Sequence, residues 1–245
     1  YAETTYAWRV SAAGQTEEGT ITTDTLPTHL QADFAIDQPG VTTLTAIAFP
    51  FACGTQGWLV ATDPDGRMLW YQEVSDTMAG LPSAAIIGFN PADEDGIITA
   101  VIGRRAVTEF DRAGNHVMTV SNGEDFDKSV HHDAFRKGGL TFALNAAAYD
   151  FGGTDYVLDG VYVFDGPGEP IATWNLADHI DPTGAVTSDA GYWWSEFPNA
   201  DDFSHANSVW VDDDGNWLIS LRHQNTVIKV NGDMASADFG QILWS

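Results

Sequence analysis

Short apolar runs alternate with polar residues along most of the chain, and each pair of runs is broken by a turn carrying Asp or Asn with Gly. This period of two predicts strands, not helices. Four segments repeat the plan: residues 59–71 (LVATDPDGRMLWY), 107–120 (VTEFDRAGNHVMTV), 161–174 (VYVFDGPGEPIATW) and 227–244 (VIKVNGDMASADFGQILW). Each reads as a β-hairpin, with its turn opened by Asp63, Asp111, Asp165 or Asn231. The intervals hold further strand-like runs at 96–102, 139–146 and 208–221. The chain is therefore predicted to be all-β and built from tandem four-stranded units, the signature of a β-propeller with about four blades visible. The one stretch with helical character, 76–82, is short and bracketed by Gly80 and Pro82.

The first residues break this rhythm. Residues 5–12 (TYAWRVSA) and 19–25 (GTITTDT) alternate like two more strands, and Leu26–Pro27 closes the segment as a linker would. Two strands bury too little to fold alone. Residues 1–38 are thus expected to be the end of an N-terminal β-sandwich-like domain plus linker, and 39–245 the blades of an incomplete ring. Tyr1, with no basic and apolar leader behind it, is expected to mark a processed or truncated start.

Composition narrows the class. Of 245 residues 44% are hydrophobic and 12% aromatic, enough apolar surface to offset the entropy of ordering the chain. Asp and Glu number 35 against 10 Lys and Arg, for a net charge of −25. So acidic a protein repels phosphate backbones, which argues against nucleic acid as a partner, and suits an extracellular or periplasmic setting. The most apolar run, 46–52, is far too short for a membrane span. Cys53 is the single cysteine, so neither an intrachain disulfide nor a CxxC zinc site can form.

Candidate chemistry lies at strand ends. His131, His132 and Asp133 precede the strand at Gly139; His205 sits in SHANS (204–208) before the strand at Val209; Arg222 and His223 follow the strand that ends at Ser220. Blade-edge segments of a propeller converge. Arg offers a fork for an oxyanion, His donates or shuttles a proton, and Asn207 adds an amide donor, which together suit a phosphoryl or sulfuryl group. In so acidic a chain such a cluster would make a local positive island. Each motif alone is also what a turn-bonding polar residue looks like. Zinc is disfavoured because consecutive strand residues face opposite sides, so that His131, His132 and Asp133 cannot share one ion. The acidic turns at 63–66 and 212–216 do not match an EF-hand loop and read as ordinary hairpin turns. No metal or other cofactor is expected. No GxSxG elbow is present. His29, His116 and His179 read as surface residues, and Trp193 and Trp194 as filling between blades.

These motifs resemble the bacterial arylsulfotransferase family. The likeness rests on VHHDAFRKGGLTFAL (130–144), on DFSHANSVWVDDDGNWLISLRHQNTVIKV (202–230) followed by ILW (242–244), and more loosely on TTDTLP (22–27). The resemblance implies a propeller of about six blades and transfer of a sulfuryl group from a phenolic sulfate ester to another phenol without a nucleotide cofactor. It implies His205 and Arg222 as sulfuryl-binding catalytic residues and His132 as an aid to proton transfer at the phenolic oxygen, with His131, Asn207 and His223 lining the substrate site. Its sulfohistidine intermediate forms on a histidine beyond the Trp corresponding to Trp244, which implies a second chain or a missing segment completing the ring. The expected partners are small aryl sulfates and phenols. A secreted, non-catalytic propeller used for binding or structure is the alternative.

Overall fold

The computed structural model describes residues 2–31, 47–53, 56–74, 86–90, 95–185, 187, 191, 193 and 195–245, with backbone only at 29, 47–53 and 56. Among these residues there is no α-helix. Residues 76–82 and Trp194 lie outside the described residues. The chain divides into two compact units, Tyr1–Glu73 and Val74–Ser245.

In the first unit β1 (Thr5–Ala12) and β2 (Gln15–Thr22) form a two-stranded antiparallel sheet. Ala13 and Gly14 turn between them with φ of 51° and 77°, the left-handed values that a two-residue hairpin loop requires. That turn sets the register, so β2 begins at Gln15 and not at Gly19 where the alternation alone placed it. A three-stranded antiparallel sheet follows: β3 (Ile47–Cys53), β4 (Gln56–Thr62) and β5 (Met68–Glu73). Leu30, Trp58, Val60 and Met68 form its buried cluster, with Leu26 packed alongside.

The second unit holds three sheets. The first is β6 (Ile86–Asn90), β7 (Ile97–Ile102), β8 (Ala106–Asp111) and β9 (His116–Ser121). The second is β10 (Ser129–Lys137), β11 (Leu140–Phe151), β12 (Thr154–Phe164) and β13 (Ala172–Asn175), with the short β14 (Asp201–Asp202) parallel beside β12. The third is β15 (Ala206–Val211), β16 (Trp217–Leu221), β17 (Thr226–Val230) and β18 (Ile242–Trp244). Apart from β14, the strands lie in chain order and antiparallel within each sheet. The four predicted hairpins are β4–β5, β8–β9, β12–β13 and β17–β18. β11 runs five residues past the predicted Ala146, because the Gly152–Gly153 turn, at φ 70° and 92°, lies beyond Phe151.

Three turns share one cause. Asp63 Oδ1 accepts from the backbone N–H groups of Asp65 and Arg67, Asp111 Oδ1 from those of Ala113 and Asn115, and Asp212 Oδ1 from those of Asp214 and Asn216, all at 2.8–2.9 Å. Each turn then passes through a left-handed glycine: Gly66, Gly114 or Gly215. The carboxylates are spent on turn amides, and Asp212 Oδ2 also meets Lys229 Nζ at 2.7 Å.

The first strand of each sheet positions the site. β10 packs against β6 and β7 on one side and β15 on the other. Phe142, Leu144, Leu158, Trp174, Val209, Trp217 and Ile219 are buried between the second and third sheets. Val101, Val107, Val120, Val130 and Phe164 fill the space between the first and second.

Candidate functional site

β10 and β11 pair at Val130↔Asn145 and again at Ala134↔Ala143, so residues 131–133 face a single partner position, and the surplus bulges out. His132 takes φ 50° there. The bulge overturns the expectation that His131 and His132 point to opposite faces: their Nδ1 atoms lie 2.8 Å apart. Asp133 does turn elsewhere, accepting from Asn90 Nδ2 at 2.6 Å and from Val209 N–H at 3.0 Å, and so ties β10 to both β6 and β15. Burial raises the Asp133 carboxyl above the ordinary carboxylate range.

His205 stands at the start of β15 with φ 44°, next to a second bulge between Ala206 and Ser208. Two strained imidazole-bearing residues at adjoining first strands mark a place where packing overrides local preference. The His205 ring lies 5.1 Å from that of His132 and 4.7 Å from that of His223. Four of the sequence-derived residues, His131, His132, His205 and His223, therefore come together.

Two buried carboxylates, which the sequence reading did not assign, stand behind them. Asp159 Oδ1 lies 2.8 Å from His131 Nε2, while Oδ2 accepts from Ser204 Oγ–H and, at 2.7 Å, from Ala206 N–H. Burial works to raise the Asp159 carboxyl, but His131, Ser204 and Ala206 together hold it below its ordinary value. Asp202 Oδ2 accepts from His205 Nδ1–H at 2.5 Å, and its backbone carbonyl accepts from His223 Nδ1–H at 3.0 Å. Burial, and then the neighbouring His131 and His205, push His132 down to about 4, so it is neutral near pH 7. In place of the expected positive island stands a set of imidazoles backed by two buried carboxylates, with His132 itself neutral near pH 7.

Arg222 and Asn207 lie beside this cluster through their backbones, with Arg222 N–H donating to His205 O at 3.2 Å. Both side chains are exposed and make no hydrogen bond or ion pair among the described residues. Trp193 is fully buried, with its ring edge-on to His131 at 4.8 Å, and packs with Ala146, Val157 and Ala200. Arg104 lies over the Trp193 ring and pairs with Glu196 at 2.8 Å.

Asp202, His205 and His223 place ligand-type atoms within 4.8 Å of one another, a set with the chemistry of a zinc or iron site. The 2.5 Å contact between His205 and Asp202 is a hydrogen bond, and two atoms that close cannot both ligate one ion without moving apart. The arrangement reads as one residue orienting two imidazoles, His205 through the Asp202 carboxylate and His223 through the Asp202 backbone carbonyl.

A protein-family model described as Arylsulfotransferase (ASST) matches residues 41–245. No curated protein matches the chain. Among solved structures, that described as BamB from Moraxella catarrhalis is similar at 12% identity and a TM-score of 0.29, over 74% of this chain and 55% of that one, so the match spans about half of that protein's length. The family match contains every histidine of the cluster and both carboxylates behind it, and the chain belongs to the arylsulfotransferase (ASST) family.

Proposed function

We propose that this chain carries the sulfuryl-binding centre of an aryl-sulfate sulfotransferase that moves SO₃ from a phenolic sulfate ester to another phenol. The observation that carries the reading is the meeting of the His132, His205 and His223 rings at 4.7–5.1 Å in a chain of that family. Imidazole N–H groups held in fixed directions suit a group that gains charge on its oxygens as the S–O bond lengthens. The exposed Arg222 guanidinium, anchored at its backbone to His205, has the reach and the fork to hold two sulfuryl oxygens. The family resemblance gives the attacking nitrogen to a further histidine, with water excluded while sulfur is bound to it.

In this reading the three chain-ordered antiparallel sheets, whose first strands pack together, are successive propeller blades, and the acidic surface belongs to an extracellular or periplasmic protein. The start of the family match at residue 41 supports a boundary near residue 38 between an N-terminal β-domain and the blades.

The test is transfer from 4-nitrophenyl sulfate to phenol by the full protein, with release of 4-nitrophenol followed by colour and phenyl sulfate by mass. Arg222→Ala and His205→Ala are each expected to lower kcat/KM by roughly 100- to 1000-fold, the usual cost of one oxyanion-stabilising group. No sulfated product from the unaltered protein, or full rate in both variants, would reject the assignment and leave a non-catalytic binding module.

A further inference from the structure

His131 is fully buried, with Nδ1 hydrogen-bonded to His132 Nδ1 and Nε2 in ion-pair range of Asp159 Oδ1, each at 2.8 Å. Asp159 Oδ2 accepts from Ser204 Oγ–H and Ala206 N–H, which leaves Oδ1 as the oxygen that stands 2.8 Å from His131 Nε2. Two imidazole nitrogens at 2.8 Å share one proton between them. Two placements satisfy this. If His131 is neutral, it accepts at Nδ1, and His132 is left with a bare Nε2. If His131 carries both protons, it donates from Nδ1, and His132 is neutral with its proton on Nε2. A buried carboxylate left without a countercharge is costly, and the His131 ring at 2.8 Å is placed to supply one, which favours the second placement.

We infer that Asp159, His131 and His132 form a proton relay that serves the phenolic oxygen of the transferring aryl sulfate, with His132 as the group that touches substrate and His131 and Asp159 as positioning residues. The inference rests on the sulfuryl-transfer reading above. As the S–O(aryl) bond breaks, its electron pair goes to the phenolic oxygen and the sulfuryl group passes to the attacking imidazole nitrogen. The phenolic oxygen takes the proton from His132 Nε2, and His132 Nδ1 takes the proton from His131 Nδ1. His131 ends neutral, still holding Nε2–H on Asp159. When the second phenol attacks sulfur, its hydroxyl proton goes to His132 Nε2 and the Nδ1 proton returns to His131. Protons balance over the cycle, and His132 never bears a net charge.

This resolves a conflict within the site. An imidazole pushed down to about 4 holds no spare proton near pH 7, so His132 alone is a poor acid for a phenolate leaving group. His131 stores the proton against the buried Asp159, and His132 conducts it. His131, His205, Asp159 and Arg104 bear on His132, with Asp133 adjacent in the chain, and of these it is the His131 Nδ1 that lies 2.8 Å from His132 Nδ1.

The test compares two donors in the full protein. Phenyl sulfate releases a basic phenolate that needs a proton, whereas 4-nitrophenolate spreads its charge into the ring and leaves without one. Asp159→Asn and His131→Gln are expected to slow transfer from phenyl sulfate by roughly 100-fold or more, the size of a general-acid contribution, and from 4-nitrophenyl sulfate by less than about fivefold. Equal losses on both donors would overturn the relay and leave a structural role. Nitrogen-15 NMR of the histidines in the unaltered protein reads the protons directly, whatever the variants do to folding. His131 protonated on both nitrogens and His132 protonated on Nε2 near pH 7 support the relay, and a bare Nε2 on His132 overturns it. If the unaltered protein transfers from neither donor, the sulfotransferase reading fails, while the NMR result still decides the proton placement.

Discussion

The backbone of Gly88 faces the carbonyl oxygen of His132 so closely that a Cβ built on it would stand 2.2 Å from that oxygen. Gly88 lies at a register shift of β6 against β7, and His132 lies in the bulge of β10, so two irregular backbones meet where a side chain cannot fit. The near neighbour is backbone and cannot rotate away. Gly88→Ala is expected to cost roughly 1–3 kcal/mol of stability, the range for overpacking, and to displace His132. Urea unfolding of the variant measures the first part and aryl-sulfate transfer the second; an unchanged midpoint with unchanged turnover would show that the two strands separate freely.

Asp202 holds two imidazoles in place, His205 by its carboxylate and His223 by its carbonyl. Asp202→Leu keeps the backbone carbonyl and nearly the volume but removes both carboxylate oxygens, so nothing remains to accept from His205 Nδ1–H. His205 then loses that orientation. The expected result is a fall in kcat of roughly 100-fold or more with KM little altered, as for loss of an oriented electrostatic group. A variant with normal kcat would mean that His205 is oriented by its packing alone.

The hairpins were legible because their causes are local: a period of two, and an Asp whose side chain bonds the amides of its own turn. The histidines of the cluster were legible as residues but not as geometry. The rule that neighbours on a strand face opposite ways separated His131 from His132, and the bulge that brings them together depends on β6 and β15 packing against β10. Asp159 carried a signal that went unused. It is a charged residue within the apolar stretch of β12 (TDYVLDGVYVF), and a carboxylate so placed must have partners to be tolerated. The exposure of the Arg222 and Asn207 side chains was not legible, since a motif fixes residue type and spacing while the direction of a side chain at a strand end follows from the turn around it.

Glu109 on β8 is fully buried and joins two sheets: Arg136 on β10 donates to its Oε2 at 3.0 Å, and Thr141 on β11 donates to its Oε1 at 2.5 Å. Removing the cation takes the charged donor away from a fully buried carboxylate. Arg136→Met is expected to cost roughly 3–5 kcal/mol, and the double variant Glu109→Gln with Arg136→Met to regain a large part of that loss. Chemical denaturation of the two variants checks both statements. A single variant within about 1 kcal/mol of the unaltered protein would mean that water reaches Glu109 in the folded state.

Stability should also report the state of His132. In the folded protein it takes up a proton only near pH 4, against 6.5 for an unperturbed imidazole, so between those values the unfolded chain holds the extra proton. The contribution is complete above pH 6.5 and is lost as pH falls toward 4, because stability drops with pH wherever the unfolded state binds more protons. Asp159, held below 3.8, gives up its contribution only at lower pH, and Asp133, raised by burial, acts in the opposite sense as it protonates. The window from 6.5 to 4 therefore carries the His132 loss with the Asp133 gain set against it, and comparison with a variant that lacks only the His132 imidazole separates the two. His132→Asn suits the measurement, since Asn tolerates the φ of 50° and does not titrate. Urea midpoints taken at intervals from pH 7 down to pH 4.5 are expected to fall less steeply in His132→Asn than in the unaltered protein. Parallel slopes would mean that the imidazole is protonated as readily in the folded site as in water.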